Sequence, residues 1–295
     1  MIQPRFTTPA YSRFVRLVTK LAPDLILCDS YSMLLRTDIL NVPREGVVNV
    51  HGGILPQYRG GNPVQWAIIN DEMQAGVTMH YMDEGFDSGP VIAQRRVPLL
   101  FTDTWRDVMK RLEVATEDLL GEQIALILVG RATAVAQDSA QSRHYPHRKP
   151  ADGRIDWSQP IRAIYNLVRA LVAPLPGAFY VTGDATKTLS AYLTIAEVAA
   201  LKQEILGGRW PALGPNALRV NARSSQAHIW LDLYDLQGGQ LGGAEIYSID
   251  YAARTADIRL SSVEPSGPRR AQALESARDF ARTELGLSKV ETRVT

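Results

Sequence analysis

The chain has a single cysteine, Cys28, among 295 residues. It cannot form an intrachain disulfide, so a reducing, cytoplasmic setting is expected. No apolar run approaches the roughly 18 residues needed to cross a bilayer, and the N-terminus lacks the long apolar stretch of a secretory signal. Charge of neither sign is in excess: 32 Lys and Arg against 31 Asp and Glu give a formal net charge of +1. That balance offers no footing for nucleic acid or a membrane surface. A Gly-x-Gly-x-x-Gly stretch is missing, which removes the usual case for a dinucleotide. Histidine or cysteine ligands at metal spacing are missing too, so no metal is expected. Repeats and low-complexity tracts are also absent. What remains is an ordinary globular composition, 45% hydrophobic and 21% charged, at a length that makes one large or two modest domains.

Periodicity orders the first half. Residues 1–7 read as an irregular arm, Tyr11–Leu21 as a helix stopped by Pro23, and Asp24–Cys28 as a buried parallel strand. Asp38–Leu40 suggests a helical turn. Asn62 and Pro63 fit the cap and first position of a helix ending near Asn70. Val77–Tyr81 and Gly89–Pro98 read as strands. A long helix is expected from Thr102 or Asp103 to Gly130, with Trp105, Val108, Met109, Leu112, Ala115 and Leu119 on one stripe. Residues 131–150 are polar and read as a linker or extended arm. The basic cluster of His144, His147, Arg148 and Lys149 is a solvated segment or a contact for a phosphate-bearing substrate.

A helix over Ile161–Leu171 precedes a change of texture. Thr188–Ile195, Ala217–Val220, Ala227–Leu236, Ile246–Ile249 and Asp257–Leu260 read as strands. Gly207–Asn216, Asn221–Ser225 and Ser262–Arg270 read as turns or loops, and Gln272–Leu285 as a closing helix. The expected division is 1–140 for a catalytic domain, 141–180 for a linker and junction helix, and 181–295 for a small β-rich domain.

The stretch Val47–Trp66, V-V-N-V-H-G-G-I-L-P-Q-Y-R-G-G-N-P-V-Q-W, carries the chemistry. Val47–Val50 is a short strand pattern of period two, so Asn49 and His51 point the same way at its end. Carboxyl ends of strands are where open α/β sheets bind ligands. A hydrogen-bonded structural pair is the commoner role of a lone Asn-x-His. The second segment, G-V-T-M-H-Y-M-D-E-G-F-D-S-G, shifts the balance, because it leads a strand into an acidic loop holding Asp83, Glu84 and Asp87.

Together the two segments resemble the formyltransferase family, whose members take a formyl group from 10-formyltetrahydrofolate. The shared pattern is Asn49-x-His51, Leu55-Pro56-x-x-Arg59-Gly60, Gly76-Val77-Thr78 and Asp87-x-Gly89. A further match runs through R-I-D-W-S-Q-P-I-R-A-I-Y-N-L-V-R-A-L and P-L-P-G-A-F, near residues 154–179. One departure lies inside the motif: Gly53 stands where many members have serine, which loosens the turn and removes a hydroxyl.

The resemblance implies an α/β, Rossmann-like formyltransferase catalytic domain followed by a smaller β-rich domain. Only one helix and one strand precede Asn49, so the usual N-terminal portion is expected to be lacking, by truncation, a gene-start error, natural reduction or completion by another chain. It implies Asn49, His51 and Asp87 as catalytic residues, and Tyr31, Leu34, Leu55, Pro56, Met82, Glu84 and Asp87 around 10-formyltetrahydrofolate, with backbone groups of Met82, Glu84 and Asp87 reading the pterin. Tyr58-Arg59-Gly60, Trp66 and His80 look more like the sugar-nucleotide N-formyltransferases than the methionyl-tRNA enzymes. The expected acceptor is therefore the amine of an amino-sugar nucleotide. A methionyl-tRNA formyltransferase, a 10-formyltetrahydrofolate hydrolase and an inactive folate-binding homologue are the alternatives. A homo-oligomer or a complementing chain is a further expectation, and no membrane partner is expected.

Overall fold

The structure is a computed structural model that describes residues 4–31, 33–183, 185–189, 193, 195–206, 219–224, 228–234, 240–251, 253–261 and 268–292. The expected loop at Gly207–Asn216 and most of the one at Ser262–Arg270 lie outside these residues. The chain divides into two compact units. The first comprises residues 1–67, 74–99 and 105–149, the second residues 68–73, 100–104 and 150–295.

In the first unit, helix α1 (Pro9–Leu21) leads to strand β1 (Ile26–Asp29), the single turn α2 (Thr37–Leu40) and strand β2 (Val47–His51). The short strand β3 (Arg59–Gly60) and helix α3 (Pro63–Ile69) follow, then β4 (Gln74–Tyr81), β5 (Val91–Pro98), helix α4 (Trp105–Leu128) and the short β6 (His144–Tyr145). The main sheet has the order β1-β2-β4-β5. β1 and β2 are parallel, whereas β4 is antiparallel to both β2 and β5. All five residues of β2 are buried, as expected of a strand covered on both faces. β1 alternates instead, with Leu27 exposed, because it lies at the edge of the sheet. Val18, Leu35, Ile39 and Val47 form one cluster of this core, with Tyr31 and Met82 packed against it. α4 buries Val108, Leu112, Ala115, Leu119 and Ile127, the three-and-four spacing expected from the sequence.

Asn62 does precede the first turn of α3, and its carbonyl accepts from Trp66 N at 3.1 Å. Its side chain turns elsewhere, accepting the amide of Arg148 at 2.8 Å. The polar segment expected as a linker or arm is ordered along the first unit. β6 pairs in parallel with β3, Tyr145 stacks on Tyr58 with ring centroids 4.9 Å apart, and the Arg148 guanidinium lies over Trp66.

The second unit holds helix α5 (Ile161–Ala170), the hairpin β7 (Ala178–Thr182) and β8 (Ala185–Leu189), and helix α6 (Ile195–Ile205). After them come β9 (Arg219–Ser224), β10 (His228–Tyr234), β11 (Gln240–Asp250), β12 (Thr255–Ser261), helix α7 (Pro268–Thr283) and β13 (Lys289–Thr292). The last five strands form one sheet, ordered β13-β12-β11-β10-β9, and Ile229, Leu231 and Leu233 of β10 are buried. Two sequence expectations are corrected. The strand proposed over Thr188–Ile195 is described over Ala185–Leu189, and residues 195–205 are helical, burying Ile195, Val198, Ala199 and Lys202 at helical spacing. The turn expected from Asn221 is strand up to Ser224, because Asn221 to Ser224 pair with Asp232 to Ile229 of β10; a neighbouring strand overrides weak local preference. Among the described residues no helix is long and apolar enough to cross a membrane.

Candidate active site

Antiparallel pairing of β2 with β4 places Asn49 opposite His80 and His51 opposite Thr78. All four side chains are buried. A register irregularity between Met79 and His80, where β4 meets β5, lies beside the site. Such bulges commonly re-aim a side chain.

The hydrogen-bond partners decide how each group is presented. Asn49 Oδ1 accepts from Tyr31 N at 3.4 Å, and Asn49 Nδ2 lies 3.3 Å from His80 Nε2. His80 Nδ1 is 2.8 Å from the Tyr81 carbonyl, which only accepts, so Nδ1 carries the hydrogen. His80 Nε2 therefore faces both the Asn49 amide and the Asp87 carboxylate. His51 Nε2 donates to the Tyr58 carbonyl at 2.6 Å by the same reasoning. Its Nδ1 is then bare and lies 3.6 Å from Asp87 Oδ1. His80 Nε2 is also 3.6 Å from that oxygen. The other carboxylate oxygen, Oδ2, accepts from Gly60 N at 2.9 Å.

Electrostatics follows the same division. Burial pushes the His51 pKa below its usual value and outweighs the opposing pull of Asp87. Burial alone would raise Asp87, but the His80 ring, then His51 and the Gly60 N–H outweigh it and hold the carboxyl low. The site thus contains a neutral imidazole with an open nitrogen beside an ionised carboxylate.

The Leu55-Pro56 turn is fastened to β4. Thr78 Oγ1 donates to the Gly53 carbonyl at 2.6 Å and accepts from Leu55 N at 3.3 Å, and Gln94 Nε2 bonds both Leu55 O and Thr78 Oγ1. The Leu55–Pro56 peptide is cis. Gly53 does not loosen this turn, as the sequence suggested. A Cβ there would fall 2.7 Å from His51 Nε2 and 2.8 Å from Tyr58 O; the missing side chain lets the histidine reach its carbonyl. Likewise a Cβ at Gly89 would meet the Tyr81 carbonyl at 1.9 Å, which explains the glycine of Asp87-x-Gly89.

The structure brings Asn49, His51 and Asp87 together. Of the residues expected around the folate, Tyr31 and Met82 share one apolar cluster beside Asn49. Leu55 is buried and Pro56 half-buried in the pinned turn, Leu34 is half-buried, and Glu84 is exposed on the acidic loop. Two backbone groups expected to read the pterin have other partners: Met82 N donates to Val47 O at 2.7 Å, and Asp87 O accepts from Gln137 Nε2 at 2.8 Å. His80 was visible in the sequence only as a marker of acceptor class; its contact with Asn49 depends on strand register. Gln137 and the Tyr58 carbonyl left no local signal.

An amide donor, an imidazole of lowered pKa and a half-buried carboxylate beside a strand end are equipment for acyl transfer, and among the described residues no cluster could hold a metal ion. The comparisons specify the class. The formyl transferase family matches residues 5–124, and its C-terminal domain matches residues 148–243. The chain belongs to the formyltransferase family, as an enzyme whose co-substrate is 10-formyltetrahydrofolate.

Solved structures share the fold. A sugar N-formyltransferase from a Shewanella species is 22% identical, with a TM-score of 0.54 over 61% of this chain and 73% of that one. Methionyl-tRNA formyltransferase from Clostridium thermocellum is 20% identical, with a TM-score of 0.50 over 75% of this chain and 82% of that one. A variant of HypX from Aquifex aeolicus is 16% identical, with a TM-score of 0.51 over 98% of this chain and 44% of that one.

Proposed function

We propose that this chain moves the formyl group of 10-formyltetrahydrofolate to the amine of an amino-sugar nucleotide, with Asn49, His51 and Asp87 as catalytic residues. The observation that carries the reading is that Asn49 lies against His80 while His51 and His80 both face one carboxylate oxygen of Asp87. The folate supplies an activated formyl carbon. As the acceptor amine attacks, negative charge grows on the formyl oxygen and the amine nitrogen must lose a proton. Asn49 Nδ2, beside His80, donates to that oxygen. A preorganised donor of this kind contributes about 3–4 kcal/mol to the transition state. His51 Nδ1 is the open nitrogen and accepts the amine proton, while Asp87 beside it stabilises the resulting imidazolium; the C–N10 bond then breaks and the same proton passes to N10, which leaves as tetrahydrofolate.

Tyr31, Leu34, Leu55, Pro56, Met82, Glu84 and Asp87 surround the folate in this reading. The apolar walls come from Leu55, Pro56, Met82 and Tyr31, whereas the amide of Met82 stays with the sheet. The acceptor class rests on Tyr58-Arg59-Gly60, Trp66 and His80. The net charge of +1 also suits a small acceptor better than tRNA, whose binding leans on many phosphate contacts.

The test offers 10-formyltetrahydrofolate with amino-sugar nucleotides in one pool and methionyl-tRNA in another. Acceptor mass and tetrahydrofolate are followed together, with Asn49→Ala/His51→Ala as the blank. A formyl mass gain confined to the sugar pool is expected. Gain on tRNA alone overturns the acceptor, and tetrahydrofolate release with no acceptor gain means hydrolysis.

A further inference from the structure

The two family matches end at residue 124 and resume at residue 148. The segment between them is a strap along the active-site loops. Val135 and Val91 exchange both backbone hydrogen bonds at 2.8 Å. Arg143 N donates to Pro56 O at 3.2 Å, Arg59 N to Arg143 O at 3.1 Å, and Gly61 N to Tyr145 O at 2.9 Å. Between these anchors sits Gln137. Its Nε2 donates to Asp87 O at 2.8 Å and to Gly89 O at 2.7 Å. Its Oε1 accepts from Arg59 Nε at 3.0 Å and Nη2 at 2.8 Å. Two carbonyls on one side and a guanidinium on the other leave the amide a single orientation. The charged donors also polarise it, which strengthens its own donation.

What Gln137 holds is an uncommon backbone. Asp87 has φ +51°, in the left-handed region. A residue with a side chain keeps that conformation mostly where its surroundings impose it. The Gly60 amide fixes the Asp87 carboxylate; the carbonyls on either side of Ser88 are fixed by Gln137. We propose that Gln137 is a positioning residue for the formyl-transfer site, holding the backbone of Asp87 so that its carboxylate meets both histidines. The strap that links the two family regions therefore belongs to the active site. This inference rests on the catalytic reading of Asp87 given above.

The test is a double-mutant cycle with Gln137→Met, which keeps side-chain length and removes donors and acceptor, and Asp87→Asn. A displacement of about 1 Å in a reacting group costs on the order of 100-fold in rate, so Gln137→Met is expected to lower kcat about that much. KM for both substrates stays within about twofold and the thermal midpoint is retained. The double variant is expected to be no slower than Asp87→Asn alone, because a residue acting through Asp87 has nothing left to position. Wild-type kcat in Gln137→Met overturns the proposal, as do losses that multiply in the double variant. Should Gln137→Met not fold, Gln137→Glu keeps the acceptor for Arg59 without the donors and carries the same expectations and the same overturning results. If Asp87→Asn and Asn49→Ala both turn over like wild type, the catalytic reading itself falls. If they are inactive while Gln137→Met is normal, only the strap's role falls.

Discussion

Both units bury charge-bearing groups, but they treat them differently. In the second unit Lys202 and Glu284 are buried and meet at 2.8 Å. Glu284 also accepts the amide of Ile161, and Lys202 donates to Gln159 O at 2.8 Å. Asp71 is gripped there by Arg162, Arg254 and Asn166 at 2.8–3.1 Å. In the first unit His51 and His80 each stop 3.6 Å from Asp87, short of a good hydrogen bond. Closed contacts of opposite sign hold structure together; groups held close but not closed keep capacity for a substrate and a moving proton.

The comparison can be broken at either end. Losing the oxyanion donor and the base together, in Asn49→Ala/His51→Ala, should have the largest effect: at least about 1,000-fold in kcat, since one oxyanion donor alone is worth about 100- to 1,000-fold. Both side chains are buried and hydrogen-bonded, so calorimetry should show a loss as well, but a smaller one than at the Lys202 pair. Lys202→Met should do the reverse. It leaves Glu284 buried without its cation, at about 3–5 kcal/mol in urea unfolding, and Lys202→Met/Glu284→Gln should recover part of that loss. Equal damage to stability from both sets would erase the distinction.

A finer test concerns His80. His80→Leu removes the ring nitrogen that faces both Asn49 and Asp87, and should lower kcat by about 10- to 100-fold, less than losing the oxyanion donor itself. His80→Gln, whose carbonyl can take over the Nε2 contact, should retain more. The smallest effect is in pH. His51 acts as the neutral base, and its pKa is depressed below 6.5, so the acid limb of kcat/KM should lie below 6.5. The sign for stability is the same. Between the depressed folded value and 6.5 the unfolded chain binds the extra proton, so this group's contribution to stability falls as pH falls through that window. A limb above 6.5 would mean that His51 is not the base.

Much of the first unit was legible because its elements are periodic. The strand at Val47 and the stripe of α4 follow from side-chain spacing alone. Asn49 and His51 were found as a pair at a strand end; Asp87 came from the resemblance. The strap was not legible, because residues 131–145 are polar and without period, and their structure comes from the backbone edge they lie against. The burial of Lys202 was not legible for another reason. In A-E-V-A-A-L-K-Q-E it looks like a solvated lysine, and only Glu284, far along the chain, makes its burial tolerable. Gly53 was misread because its reason is the position of His51 Nε2 in space, which no local pattern reports.

The pairing of Asn49 with His80 across β2 and β4 carries an evolutionary consequence. Shifting that ladder by one residue would set Met79 or Tyr81 opposite Asn49 and send the imidazole to the other face. The loops that hold Asp87 lie between β4 and β5, so their length is tied to the same ladder. Descendants of this chain are free to exchange many side chains around the site. Insertions and deletions between Thr78 and Val91 should be far rarer than substitutions there, since one residue more or fewer changes which atoms meet while leaving the fold intact.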